Sequence, residues 1–98
     1  MHVVAFSTIK DYIVGHADSD AAMRDWYNKT SDASWGSLAD IRQTFNSADF
    51  VGNDRYVFNI KGNAYRLVAM IFFQAKMVYV RWIGTHAEYD RIKDIKNL

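Results

Sequence analysis

An α+β fold is predicted by a change in hydrophobic period partway along the chain. Up to Asp54, apolar residues recur at helical spacing in short segments; from Arg55 they alternate or run unbroken, as strands do. Two breaks, Gly62-Asn63 and Gln74-Ala75-Lys76, divide the second part into three strands, and the pair Thr85 and Glu88 has the spacing of a helix cap. The expected architecture is a small antiparallel sheet, a three-strand meander plus an N-terminal strand. N-terminal helices pack it and a short C-terminal helix ends it. Residues 1–98 form one domain, a size that buries roughly 60–70% of the surface exposed by its unfolded chain.

Each element has its own signal. His2 to Phe6 is a short apolar run whose β-branched Val3 and Val4 favour a strand, with Ser7-Thr8 after it as a cap. Ile9, Tyr12 and Ile13 then fall at helical spacing, and Gly15 is the stop. Asp18 or Ser19 caps a second helix, whose apolar stripe is Ala22, Met23, Trp26 and Tyr27. Ser31 to Gly36 is polar and reads as a loop. Ser37 opens a third helix lined by Leu38, Ile41 and Phe45, and Asn46 to Asp54 is turn-rich with a brief extended piece at Phe50 and Val51.

After Asp54, Tyr56, Phe58 and Ile60 alternate with Arg55, Val57, Asn59 and Lys61 as in a half-buried strand. Gly62-Asn63 tolerates positive φ and supplies the hairpin turn. Tyr65 to Phe73 is apolar on both sides except at Arg66, which suits a central strand, and Met77 to Ile83 returns, apolar except at Arg81. In the capping box Thr85 accepts the Glu88 amide and Glu88 reaches back to the Thr85 amide. His86 then begins a helix and shares a face with Tyr89 and Asp90. The closing segment KDIKNL is charged, amphipathic and expected to fray.

Composition removes several classes. Half the residues are apolar and 15% aromatic, enough for a core. There is no cysteine, so neither a disulfide framework nor a thiolate metal site can form. No segment approaches the ~20 apolar residues of a membrane span, and the N-terminal residues lack the pattern of a signal peptide. A cytoplasmic protein is expected. The net charge of +1 conceals a division: residues 1–54 carry four cations against eight anions, and residues 55–98 carry eight cations against three anions. That division fits two solvated faces or one half turned to a polyanion.

The basic half carries the chemistry. If Phe73 pairs with Met77 across the second turn, the ladder sets Arg66 opposite Gly84, beside His86. Lys61, from the neighbouring hairpin, is expected at the same end. Arg81 is less fixed, because its face depends on register. An arginine fork grips two phosphate oxygens, a histidine takes or gives a proton near neutral pH, and a tyrosine donates one or stacks on a base. The helix start at Thr85 would add amides for an anion. Together these suit RNA cleavage without a metal or other cofactor, in which a 2′-hydroxyl attacks its own phosphate and a general acid protonates the departing 5′-oxygen. The expected catalytic residues are His86, Arg66, Lys61 and Tyr89, and the expected further RNA contacts are Arg81, Arg55, Asn63 and Lys76. Each has a plainer reading: Arg66 paired with Asp90, His86 a first-turn residue, Tyr89 a core ring, Lys61 a solvated lysine. His2 and His16 have no companions, and the three histidines lack the spacing of a metal site. Glu88 reads as a cap rather than a catalytic acid.

The stretch RYVFNIKGNAYRLVAMIFF, followed by VYVRWIGTHAEYD, resembles the HigB toxin family in its GN-x-x-R-h-V-A hairpin (h, apolar) and its T-H-x-x-Y-D close. The likeness is strong from Arg55 to about Ile92 and rests on helical order before that. It implies a RelE-like compact fold and ribosome-dependent cleavage of messenger RNA in the A site. It also implies a helix-turn-helix antitoxin of the HigA type, operator binding only through the toxin–antitoxin complex, and no membrane. Arg66 matches the arginine of the RelE-type Y-R-L-V strand that contacts the scissile phosphate, and His86 falls where RelE has a second catalytic arginine. RelE presents two lysines where this chain has Val57 and Asn59, with Lys61 next, so proton transfer must be carried elsewhere; His86 is the candidate, assisted by Tyr89 or Lys61. Two other readings share the scaffold: a non-catalytic RNA- or ribosome-binding module, and a ParE-like toxin that poisons gyrase.

Overall fold

The computed structural model describes residues 1–4 and 6–98; Ala5, within the expected His2–Phe6 run, lies outside the described residues. Five strands form one sheet in the order β1-β5-β4-β3-β2. They are β1 (His2–Val4), β2 (Asp49–Gly52), β3 (Arg55–Ile60), β4 (Tyr65–Phe72) and β5 (Met77–Thr85). Helices α1 (Phe6–Gly15), α2 (Asp20–Asp32) and α3 (Leu38–Thr44) precede the meander, and α4 (His86–Asp90) follows it. The α+β prediction is met, with two additions. The extended piece at Phe50 becomes a paired edge strand, and β1 lies parallel to β5, so the sheet is mixed.

Alternation along the strands sorts the two faces. Tyr56, Phe58 and Ile60 of β3, Tyr65, Leu67, Ala69 and Ile71 of β4, and Val78 and Val80 of β5 share one core with Ile9, Met23, Trp26 and Ile41 of the helices. Arg66, Val68 and Val57 belong to the opposite face, where α4 and a short turn of helix at Ile95–Asn97 lie against the sheet.

Local signals were met unevenly. Ser37 caps α3 by accepting the Asp40 amide. Ser19 makes no such cap; its hydroxyl donates to the His16 carbonyl in a turn of 3-10 helix that leads into α2. Helix α1 takes in Ser7 and Thr8 instead of starting after them, with Phe6 packed on Tyr27 at 4.3 Å between ring centres. The polar segment Ser31–Gly36 hides a core residue: Trp35 is 2% exposed and stacks on Phe58. In the first hairpin the positive φ angles fall on Lys61 and Gly62, one position earlier than expected. The closing segment is not frayed, because Arg55 and Arg81 both donate to the Leu98 carbonyl and Asn53 to that of Lys96.

The β4–β5 register sets the site. Phe72, not Phe73, pairs with Met77, which alone would move every partner by one residue. A bulge then intervenes: Val68 faces Trp82 while Ala69 faces Val80, leaving Arg81 as the extra residue. Beyond it, Arg66 faces Gly84 as expected.

Candidate active site

Strand β5 runs straight into α4. Thr85 accepts the Glu88 amide at 3.1 Å and the Glu88 carboxylate accepts the Thr85 amide at 2.7 Å, completing the capping box. These bonds hold the Glu88 carboxyl below its ordinary range, first of all the backbone amide of Thr85. The His86 amide donates to the Ala64 carbonyl. The helix start is therefore largely self-satisfied and already matched by a carboxylate, so the anion site expected of its amides is not formed. What the cap does achieve is to fix His86 beside the first hairpin.

Arg66 is 9% exposed and lies on the α4 side of the sheet. One terminal nitrogen donates to the Asn63 and Tyr65 carbonyls; the other donates to the Asn63 side-chain oxygen and to His86 Nδ1, the last at 2.7 Å. Its guanidinium carbon sits 6.0 Å from the centre of the Tyr89 ring. Among the described residues no carboxylate pairs with Arg66 directly: Asp90 bonds His86 Nε2 at 2.9 Å instead. A guanidinium has only donors, so Nδ1 accepts; Nε2 then carries the proton and donates it to Asp90. The chain of contacts is Arg66, His86, Asp90, with a lone pair of the imidazole turned to the cation.

Tyr89 closes the corner. Burial is the main cause that raises its phenol, and Arg66 partly opposes it. A phenol raised in this way stays protonated at neutral pH and acts as a donor. Its ring lies beside the guanidinium and 6.1 Å from the ring of Trp82.

Of the four expected catalytic residues, three meet. Lys61 does not join them. Its ammonium pairs with Asp18 at 3.1 Å, and Asp18 also accepts the Tyr65 hydroxyl at 2.6 Å. Tyr65 belongs to the helix-side core and Arg66 to the other face, so the turn at Lys61 and Gly62 directs the lysine away from the arginine. The hydrogen bond from Tyr65, then that from Lys61, lowers the Asp18 carboxyl. Asn63 does belong to the corner, as an acceptor for Arg66. Arg55 and Arg81 hold Leu98, and Lys76 donates to the Trp35 carbonyl at 2.9 Å from the far turn of the β4–β5 hairpin. Asp90 is the residue that sequence reasoning passed over as a functional group. Its spacing of four from His86 was the available signal.

Beside the corner, a cleft of about 670 Å³ opens between the end of α3 and the first hairpin, lined by Gln43 to Ser47, Asn59, Gly62 and Asn63. Among the described residues no cluster of three ligating side chains could hold a metal ion, and no helix is long and apolar enough to cross a membrane.

A mixed sheet with N-terminal helices on one face, and a buried arginine beside a capped histidine on the other, defines a RelE-like domain. The family model that matches residues 19–92 is described as HigB_toxin, the RelE-like toxic component of a toxin-antitoxin system. The mRNA interferase toxin HigB of Escherichia coli (strain K12) is 32% identical over 92 residues, covering 92% of this chain and 88% of that protein. The mRNA interferase HigB of Shigella flexneri matches to the same extent, and that of Escherichia coli O6:H1 is 26% identical over 94 residues, 94% of this chain and 91% of the relative. This chain belongs to the HigB family of RelE-like toxins, and membership implies an antitoxin partner.

Proposed function

We propose that this protein is an mRNA endoribonuclease, the toxin of a type II toxin–antitoxin pair, which blocks translation by cutting messages on the ribosome. The observation that carries the reading is a nearly buried arginine with no carboxylate of its own among the described residues, in contact with a histidine backed by an aspartate. A buried cation without a counter-charge is costly, and an incoming phosphate supplies the missing charge.

In the proposed reaction the scissile phosphate docks on Arg66, displacing His86 Nδ1 from the guanidinium. That nitrogen then takes the proton of the 2′-hydroxyl as the 2′-oxygen bonds to phosphorus. Asp90 stabilises the imidazolium that forms. The bond from phosphorus to the 5′-oxygen breaks, and a proton passes to the leaving oxygen from the Tyr89 phenol, leaving a 2′,3′-cyclic phosphate. Arg66 offsets the charge that grows on the phosphoryl oxygens. Lys61, anchored to Asp18, takes no part in the proton transfer, and no metal ion is required. A helix-turn-helix antitoxin of the HigA type restrains the toxin, and the pair binds its operator through the antitoxin. The protein works in the cytoplasm, at the A site.

Mapping transcript 5′ ends after induction tests the reading. The native chain should leave codon-phased cuts in translated messages. Arg66→Ala and His86→Ala should each cut about 10²–10³-fold more slowly with the fold intact by circular dichroism. Full toxicity of both single variants and of the double variant would disprove the site. Intact messages accompanied by a DNA-damage response would point to gyrase, and loss of cutting in EDTA with intact ribosomes would rule out the metal-free route.

A further inference from the structure

The cleft beside Arg66 is unlike the corner it adjoins. Its side-chain lining is neutral: the amides of Gln43, Asn46, Asn59 and Asn63, the hydroxyls of Thr44 and Ser47, and the half-buried ring of Phe45. The side-chain amides of Gln43, Asn46 and Asn59 have no hydrogen-bond partner among the described residues, whereas Asn63 accepts from Arg66. Asn59 is the direct cross-strand partner of Arg66 on β4, which puts the two side chains on one face about 5 Å apart at Cβ. Strand β2 covers β3 only from Arg55 to Val57, so the hairpin end of β3 borders the open cleft. At about 670 Å³ the space lies within the ~300–1,000 Å³ usual for a small-ligand site.

A carboxamide is a paired donor and acceptor, the complement of the mixed edges of a nucleobase, and it offers nothing special to a phosphate. The cleft also sits at the C-terminal, negative end of α3, which disfavours an anion and suits exocyclic amino groups. From these placements we infer that the cleft is a base-reading subsite, in which Asn59, Gln43 and Asn46 hydrogen-bond the edge of an unstacked RNA base next to the phosphate held by Arg66. This rests on the endoribonuclease reading above. It assigns specificity to residues that carry no charge and take no part in proton transfer. Single-stranded RNA is read in this manner, by splayed bases whose edges meet side-chain amides and whose faces meet a ring; Phe45 is the ring available here.

Two measurements on the full-length chain test the subsite and keep its failure apart from failure of the endoribonuclease reading. In the first, transcript ends are mapped for the native protein and for Asn59→Ala, Gln43→Ala and Asn46→Ala. The expected result is continued cutting with relaxed base choice at one position beside the cut, by about tenfold, the scale of one bidentate amide–base contact. Unchanged base choice in all three variants would overturn the subsite and leave the endoribonuclease reading standing. In the second, the four nucleoside 3′-monophosphates are titrated into nitrogen-15-labelled His86→Ala protein. The side-chain amide signals of Asn59, Gln43 and Asn46 should shift to an extent that depends on the base. Shifts identical for all four nucleotides, or absent from those amides, would overturn the subsite. Base-dependent shifts, together with a native chain that leaves no cuts in messages, would sustain the subsite and sink the endoribonuclease reading.

Discussion

Arg66 shows how a single residue can be kept against the interest of stability. It interrupts an otherwise apolar strand, it is almost fully buried, and its charge meets carbonyls and an imidazole rather than a carboxylate. Replacing a buried ion pair by apolar groups of similar volume is often neutral or stabilising, and Arg66 carries the desolvation cost of such a pair without its carboxylate. Arg66→Met should therefore raise unfolding stability by up to about 2 kcal/mol while abolishing toxicity, as urea titration and a growth assay would show; a loss of stability would mean that the guanidinium is structural. Tyr12 provides a second case. Its hydroxyl is buried without a partner among the described residues, and burial first, then the charge of Glu88, pushes its phenol from 10.0 up to about 12. The folded state therefore favours the neutral phenol. Its contribution to stability is complete below pH 10 and is lost as pH rises toward 12. Tyr12→Phe should gain about 1 kcal/mol near neutral pH by removing the orphaned hydroxyl and should flatten the decline in thermal midpoint above pH 10.

At the scale of elements, the junction of β5 and α4 determines whether the corner forms. Gly84 faces Arg66, and a Cβ there would run into the ring of Trp82, with Glu88 Oε1 at 3.1 Å. Trp82 would have to swing, and its neighbour is Tyr89. Gly84→Ala is expected to fold, to lose about 1–3 kcal/mol through overpacking, and to lose more than tenfold in cutting rate. Comparing its circular dichroism and melting point with transcript cleavage checks this; native cleavage would show that the corner tolerates the shift. The other element of note is the bulge at Arg81. A turn that pairs Phe72 with Met77 and a bulge that adds one residue cancel, so Arg66 reaches the partner that a simpler hairpin would also have given it.

Across the whole molecule, acid sensitivity should follow Asp18. This carboxylate joins the segment between α1 and α2 to the first hairpin, through Tyr65 and Lys61, 47 and 43 residues away. Its carboxyl is lowered below the ordinary 3.8, first by the Tyr65 hydroxyl. The charged form is favoured in the folded state, so the contribution is present above pH 3.8 and is lost as pH falls through the lowered folded value. Asp18→Asn should flatten the acid limb of stability below that pH, measured by urea midpoints, and an unchanged slope would assign that limb to Glu88 or others. The variant should keep its cutting activity, since Asp18 and Lys61 lie on the helix side of the sheet, away from Arg66. If its activity fell as far as that of Arg66→Ala, Lys61 would belong to the catalytic corner after all.

The sequence by itself determined the meander, the capped start of α4, and the pairing of Arg66 with the residues just before His86. These depend on period, turn chemistry and side chains three or four residues apart, all of which are local. It could not reveal that Lys61 is drawn to Asp18, that Trp35 is buried, that β1 runs parallel to β5, or that Asp90 orients His86 toward Arg66. Each of these was decided by packing or by a contact chosen among competing partners, and local pattern does not record which partner wins. Residue type put an arginine and a histidine in the same corner; the tertiary structure decided that the lysine would be left out of it and that amides would line the space beside it.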